Sequence, residues 1–228
     1  MKLKELIAKD KETIKKLDPK QKRKFIWDYY KLPIIFAGAV LAVVILALVT
    51  SIGRKKVSLY TVLINANAEG GILPGSETNV FTELLLSRGY EEEKAGVDVQ
   101  ANYTLSLDGI SGSDAMTMQV LSALFGVGDL DLFASNEEVY KLYSDKDAFV
   151  DLSLFLEKED LAGYTDGVYV CENSDGQKIT AGIWLRDGSV LHRAGYFSGP
   201  VILGVTSQAE HLEEAVDVVK AIVEGGHF

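Results

Sequence analysis

Hydrophobic positions follow two different regimes along this chain. From Leu32 to Ile52 the residues read LPIIFAGAVLAVVILALVTSI, with no charge anywhere in the run. Beyond Lys56 the apolar residues come in short periodic bursts. Val57 to Ile64 is nearly continuous and β-branched, the pattern of a strand covered on both faces. Glu77 to Ser87 puts Val80, Phe81, Leu84 and Leu85 on one helical face, with Gly89 as a stop signal. Val97 to Leu105 alternates apolar and polar residues and predicts a half-buried strand. A helix opens at Ser113 and carries Met116, Val120, Leu121, Leu124 and Phe125. A strand follows over Leu130 to Ala134, and then a helix capped at Ser135 that runs through Tyr143. Lys178 to Leu185 and Val201 to Thr206 read as further strands, and Gln208 to Glu224 as an amphipathic helix. Strand–helix alternation implies right-handed parallel crossovers. The predicted class is α/β: one lobe with a mostly parallel sheet and helices on both faces, preceded by a single transmembrane helix.

The uncharged run has the length that crosses a bilayer core, roughly 20 apolar residues in a helix. Its flanks set the direction. Lys20, Lys22, Arg23, Lys24 and Lys31 precede it, with six more lysines upstream; only Arg54, Lys55 and Lys56 follow. Basic flanks stay inside, so the N-terminus is expected in the cytoplasm and the larger domain outside. Trp27, Tyr29 and Tyr30 fall at headgroup level. A cleaved signal peptide fits less well: the leader is long, the apolar run exceeds a signal's, and Ala37-Gly38-Ala39 stands at its start. The expected organisation is a basic cytoplasmic segment over 1–31, a span over 32–53 and an extracytoplasmic α/β domain over 57–228, in a single-pass protein of the cell membrane. Leu3, Leu6, Ile7, Ile14 and Leu17 among lysines fit either an amphipathic helix on the inner leaflet or a solvated tail.

Charge divides at the same place. Residues 1–56 hold 14 Lys/Arg and 5 Asp/Glu, a net +9; the rest holds 9 and 28, a net −19. An external face this acidic repels phosphate and argues against nucleic acid. Catalytic signatures are missing: no HExxH, no P-loop, no nucleophile elbow. Gly109-Ile-Ser-Gly-Ser113 departs from G-x-S-x-G and reads as a helix-initiating loop. His192, His211 and His227 lack ligand spacing, and the lone Cys171 has no internal partner. No enzyme activity, metal or cofactor is expected.

After Val57 the order of segments resembles the extracellular solute-binding proteins of ABC importers, which have the type II periplasmic-binding-protein fold. Val57–Asn65 and Val97–Leu105 look like their first two strands, and Ala115–Phe125 leading into Gly128-Asp-Leu-Asp-Leu-Phe-Ala134 like their helix and third strand. Ala148–Leu156, Asp166-Gly-Val-Tyr and Lys178-Ile-Thr-Ala-Gly-Ile resemble the approach to the hinge. Gly199–Ser207 with the helix through Val223 is similar to the return strand and the helix after it. Family members clamp ligand between two lobes. Here only about 15 residues separate Leu185 from Val201, too few for a second lobe, so the resemblance implies a single tethered lobe that binds or assists without cleft closure.

Open α/β sheets bind ligands at the carboxyl ends of their strands. Asn65 and Asn67 after the first strand, Ser135 and Asn136 after the third, and Trp184 are therefore the candidate ligand-binding residues. Each also has a structural reading: a turn for the two asparagines, a helix cap for Ser135, core for Trp184. Expected partners are the lipid bilayer and either an envelope protein or a small solute, with pairing into a homodimer as a way to rebuild a cleft.

Overall fold

The computed structural model describes residues 57–224 other than Thr165 and, nearer the N-terminus, Asp18, Pro19, Gln21 and Trp27 alone. The chain divides into two compact units, Met1–Arg54 and Lys55–Phe228. Among the described residues no helix is long and apolar enough to cross a membrane. The run 32–53 on which the anchor is read lies outside the described residues, as do nearly all of 1–31 and His227.

The second unit is α/β. Its strands are β1 (Val57–Ile64), β2 (Gly96–Tyr103), β3 (Leu132–Ser135), β4 (Val168–Glu172), β5 (Lys178–Leu185) and β6 (Val201–Val205). Its helices are α1 (Val80–Ser87), α2 (Gly112–Val127), α3 (Glu137–Ser144), α4 (Lys158–Gly163), α5 (Val190–Arg193) and α6 (Leu212–Val223), with a 3-10 turn at Leu152–Leu154. One six-stranded sheet runs in the order β2-β1-β3-β6-β5-β4.

That sheet is mixed, which corrects the expectation of a mostly parallel one. β1 pairs parallel with both β2 and β3, as strand–helix alternation requires. β6 then returns antiparallel beside β3, β5 is antiparallel to β6, and β4 to β5. The cause lies in the connections. Only residues 173–177 join β4 to β5, where a parallel crossover needs a dozen or more. The 186–200 segment between β5 and β6 carries no more helix than α5, so the chain simply turns back.

Strand side chains alternate between two cores. Leu59 and Leu63 of β1 enter one core with Phe81, Leu84 and Leu85 of α1 and Val216 and Val219 of α6. Val62 and Ile64 enter the other with Leu121 of α2 and Val139, Tyr140 and Tyr143 of α3. Helices therefore cover both faces. Each fully buried Leu or Phe contributes about 1.5–3 kcal/mol by leaving water.

The α2/α3 face is aromatic. Tyr140 stacks on Phe149 at 4.2 Å between ring centres, and Phe125 on Tyr143 at 4.8 Å. The Tyr140 hydroxyl donates to the Ala181 carbonyl at 2.8 Å inside the sheet. It fits because the facing positions on β5 and β6 are Gly182 and Gly204, where a methyl group would overlap that hydroxyl.

At the opposite edge of β3 from its carboxyl end, Asp131 is wholly buried yet fully engaged. Its carboxylate accepts the Tyr60 and His211 backbone N–H groups, both at 2.8 Å, and lies 3.2 Å from His211 Nδ1. The acceptor ties β1 to the residue that caps α6, joining sheet and helix.

Candidate functional site

The strand order reverses at β1: the chain leaves through α1 to β2 on one side, then returns through α2 to β3 on the other. Ligand crevices form outside the carboxyl ends of strands at such a point. A crevice of about 430 Å3 lies there, walled by the loops after β1, β2 and β3 and the first turns of α2 and α3. Its lining is mainly polar: Asn65, Thr104, Ser106, Ser111, Ser113, Asp114, Asn136 and Glu138, with Leu105, Leu107 and Val139 as the apolar part.

Each wall has a local cause. Asn65 ends β1 at φ 58°, a left-handed turn that asparagine tolerates better than most residues. Its amide accepts the Leu105 N–H and donates to the Leu105 carbonyl, both at 2.9 Å, fastening the loop after β2 to the end of β1. Ser111 and Asp114 form a reciprocal capping box at the start of α2. The Asp114 carboxylate accepts the Ser106 N–H at 2.9 Å, the Ser111 N–H at 2.8 Å and the Ser111 hydroxyl. These bonds, Ser111's hydroxyl foremost, hold its pKa below the usual carboxylate value. Ser111 Oγ and Ser113 Oγ lie 2.8 Å apart at the rim.

The third wall is less complete. Asn136 occupies the cap position of α3, but its side chain caps no N–H, and its Oδ1 is buried without a partner. Its carbonyl takes the Ser135 hydroxyl at 3.1 Å and the Tyr140 N–H at 3.0 Å. The crevice thus presents an uncapped helix start, two carboxylates and no basic residue in its lining. That balance disfavours anions and suits neutral polar or cationic groups.

Of the five residues predicted from sequence, Asn65 and Asn136 line the crevice. Ser135 is buried beneath it. Asn67 belongs to another neighbourhood: its side chain closes its own turn by accepting the Glu69 N–H at 3.1 Å, and its backbone donates to Tyr196 at 2.8 Å. Trp184 stands two strands from Ser135 in the same cross-strand row, edge-on to Tyr169 at 6.3 Å and under the Arg186 guanidinium at 5.6 Å. Sequence reasoning missed Thr104, Ser106, Ser113, Asp114 and Glu138. The Ser111-x-x-Asp114 spacing was the available signal, because a capping box after the second parallel strand marks a crevice wall.

Larger hollows lie elsewhere among the described residues. One of about 550 Å3 lies beside α6 between Phe155, Leu212 and Val216, under Glu213, Asp217 and Lys220. Another of about 450 Å3 adjoins Leu73, Pro74 and Arg193. Neither gathers loops from several strand ends.

The arrangement nearest to a nucleophile and base is Ser189 with His192, Oγ to Nδ1 at 2.7 Å. His192 Nε2 is 2.7 Å from the Gly199 carbonyl and donates to it, so in the neutral imidazole Nδ1 accepts the Ser189 hydroxyl. The imidazole is 8% exposed and both its nitrogens are engaged. The pair fastens α5 to the Gly199 loop. Among the described residues no cluster of His, Cys, Asp and Glu has metal-holding geometry. Comparison with family models, curated proteins and solved structures gives no match.

Proposed function

We propose that this chain is a membrane-tethered, non-enzymatic recognition domain that engages an envelope component outside the cell through the crevice at the ends of β1–β3. The observation that carries the reading is the crevice itself: three separate loops converge at the strand-order reversal, and their polar groups surround an opening rather than a packed junction. The tether rests on the uncharged run Leu32–Ile52 and its basic flanks. The absence of catalytic signatures from the sequence, and the engaged state of the Ser189–His192 pair, support a binding role.

The resemblance to one lobe of a solute-binding protein fits this reading. The segment similar to the return strand, β6, re-enters the sheet directly beside β3. A small solute is the second reading, favoured by the crevice volume, which falls in the range of small-molecule sites. Its lining selects a neutral polyol, an amino acid or a cationic head over a phosphate.

Thermal unfolding of the full chain in detergent micelles, against neutral sugars, amino acids, polyamines and short peptides, tests both readings. A ligand of the crevice raises the melting temperature with concentration. Ser113→Trp, at an exposed rim position, abolishes the rise without lowering the unliganded melting point. A rise that survives Ser113→Trp removes the crevice from the account.

A further inference from the structure

β2 ends the sheet on one side and β4 on the other, and among the described residues no strand pairs with the outer side of either. The two edges differ. β4 has five residues, and a register irregularity between Tyr169 and Val170 interrupts it. A break of this kind closes an edge to further pairing. β2 has eight residues, and its irregularities fall towards its two ends, leaving Val97–Gln100 regular. Neither Lys nor Pro, the usual guards of an edge, occurs in it.

The ladder fixes which backbone groups of β2 are left over. The Tyr60 carbonyl accepts the Asp131 N–H on the β3 side, and the Asn65 N–H donates to the Tyr103 carbonyl on the β2 side, both at 3.0 Å. The odd-numbered residues of β1 therefore face β2. Parallel pairing then engages Asp98, opposite Tyr60, and Gln100, opposite Val62. The N–H and C=O groups of Val97 and Val99 point out of the sheet. Their side chains pack on the α1 side, so those of Asp98 and Gln100 lie on the α2 side. Alternating donors and acceptors at this spacing are complementary to one more polypeptide backbone.

Charge selects whose backbone it is. Glu91, Glu92 and Glu93 precede the strand, Asp98 lies in it and Asp108 follows it, while residues 95–140 contain no Lys or Arg. A second copy brings the same acidity to the edge and is repelled. An added segment sets alternate side chains beside Asp98 on the α2 side and beside Val97 and Val99 on the α1 side. Basic residues suit the first row and apolar residues the second.

We propose that β2 takes up an extended segment of a partner protein as a seventh strand, a segment in which Lys or Arg alternates with apolar residues. The inference is independent of what the crevice binds. Basic side chains meet an acidic border here, so affinity falls as salt rises.

Selection of ten-residue peptides from a displayed random library, on the full chain in detergent micelles, tests it. The selected peptides alternate Lys or Arg with apolar residues. N-methylation of one alternate set of their amides abolishes binding, because that set bonds Val97 and Val99, and N-methylation of the other set weakens it far less. Asp98→Lys, at a partly exposed position, weakens binding about fivefold or more with the melting temperature kept. Ser113→Trp, which blocks the crevice, leaves peptide affinity unchanged. Failure to enrich any peptide, peptides without basic residues, equal effects of the two N-methylated sets, or affinity that survives Asp98→Lys overturns the proposal. So does loss of binding in Ser113→Trp, which assigns the peptide to the crevice. A synthetic peptide of residues 95–104 that binds as tightly as the selected ones assigns the edge to a second copy and overturns it too.

Discussion

Asp114 does more than any other side chain to shape the crevice rim, because one carboxylate fixes both the loop after β2 and the start of α2. Its pKa is held below the ordinary carboxylate value, chiefly by the Ser111 hydroxyl. A depressed carboxylate contributes stability that is complete above its unfolded pKa and is lost as pH falls through the folded one. Melting of the wild-type chain should therefore drop on acidification below about pH 4, near the free Asp value. Asp114→Asn should lower the melting point at neutral pH and flatten this part of the acid dependence. If Asp114→Asn leaves the acid limb unchanged, other carboxylates govern it. Asn65 works in the same neighbourhood through its amide. Both residues show why the site was half legible: an asparagine after a strand announces a turn, while its partner Leu105 is forty residues away.

Elements were read well where the pattern was local. The continuous run of β1, the alternation of β2 and the amphipathic stripe of α6 all appear near their predicted places. β4 escaped notice, since Val168–Glu172 is short and sits between turn residues. Pairing direction escaped as well, because periodicity identifies a strand without naming its neighbour. The seating of α3 on the sheet is a further nonlocal feature, set by two glycines on other strands. Gly204→Ala should destabilise the fold by about 1–3 kcal/mol through overpacking against the Tyr140 hydroxyl. Tyr140→Phe removes that hydroxyl together with its bond to Ala181, so the double variant should lose less than the two singles combined. Additive losses in denaturant unfolding would mean that the two positions do not meet as described.

At the scale of the whole molecule, the sequence and the described fold bear on different halves of the account. The proposed tether and its direction rest on the uncharged run Leu32–Ile52 and the charge asymmetry about it. The proposed binding face rests on topology: a parallel β2-β1-β3 half opens a crevice, and an antiparallel β6-β5-β4 half completes the sheet. The crevice was not visible in periodicity alone, since it depends on what the remaining elements leave uncovered. The central claim is that recognition happens at the crevice, and site-specific photocrosslinking in intact cells tests it most directly. A photoreactive residue at Ser113 in the full-length chain should give one discrete adduct, competed by excess of whatever ligand raises the melting temperature, while the same residue at Glu214 should give none. Equal labelling at both positions, or none at Ser113, would contradict the claim.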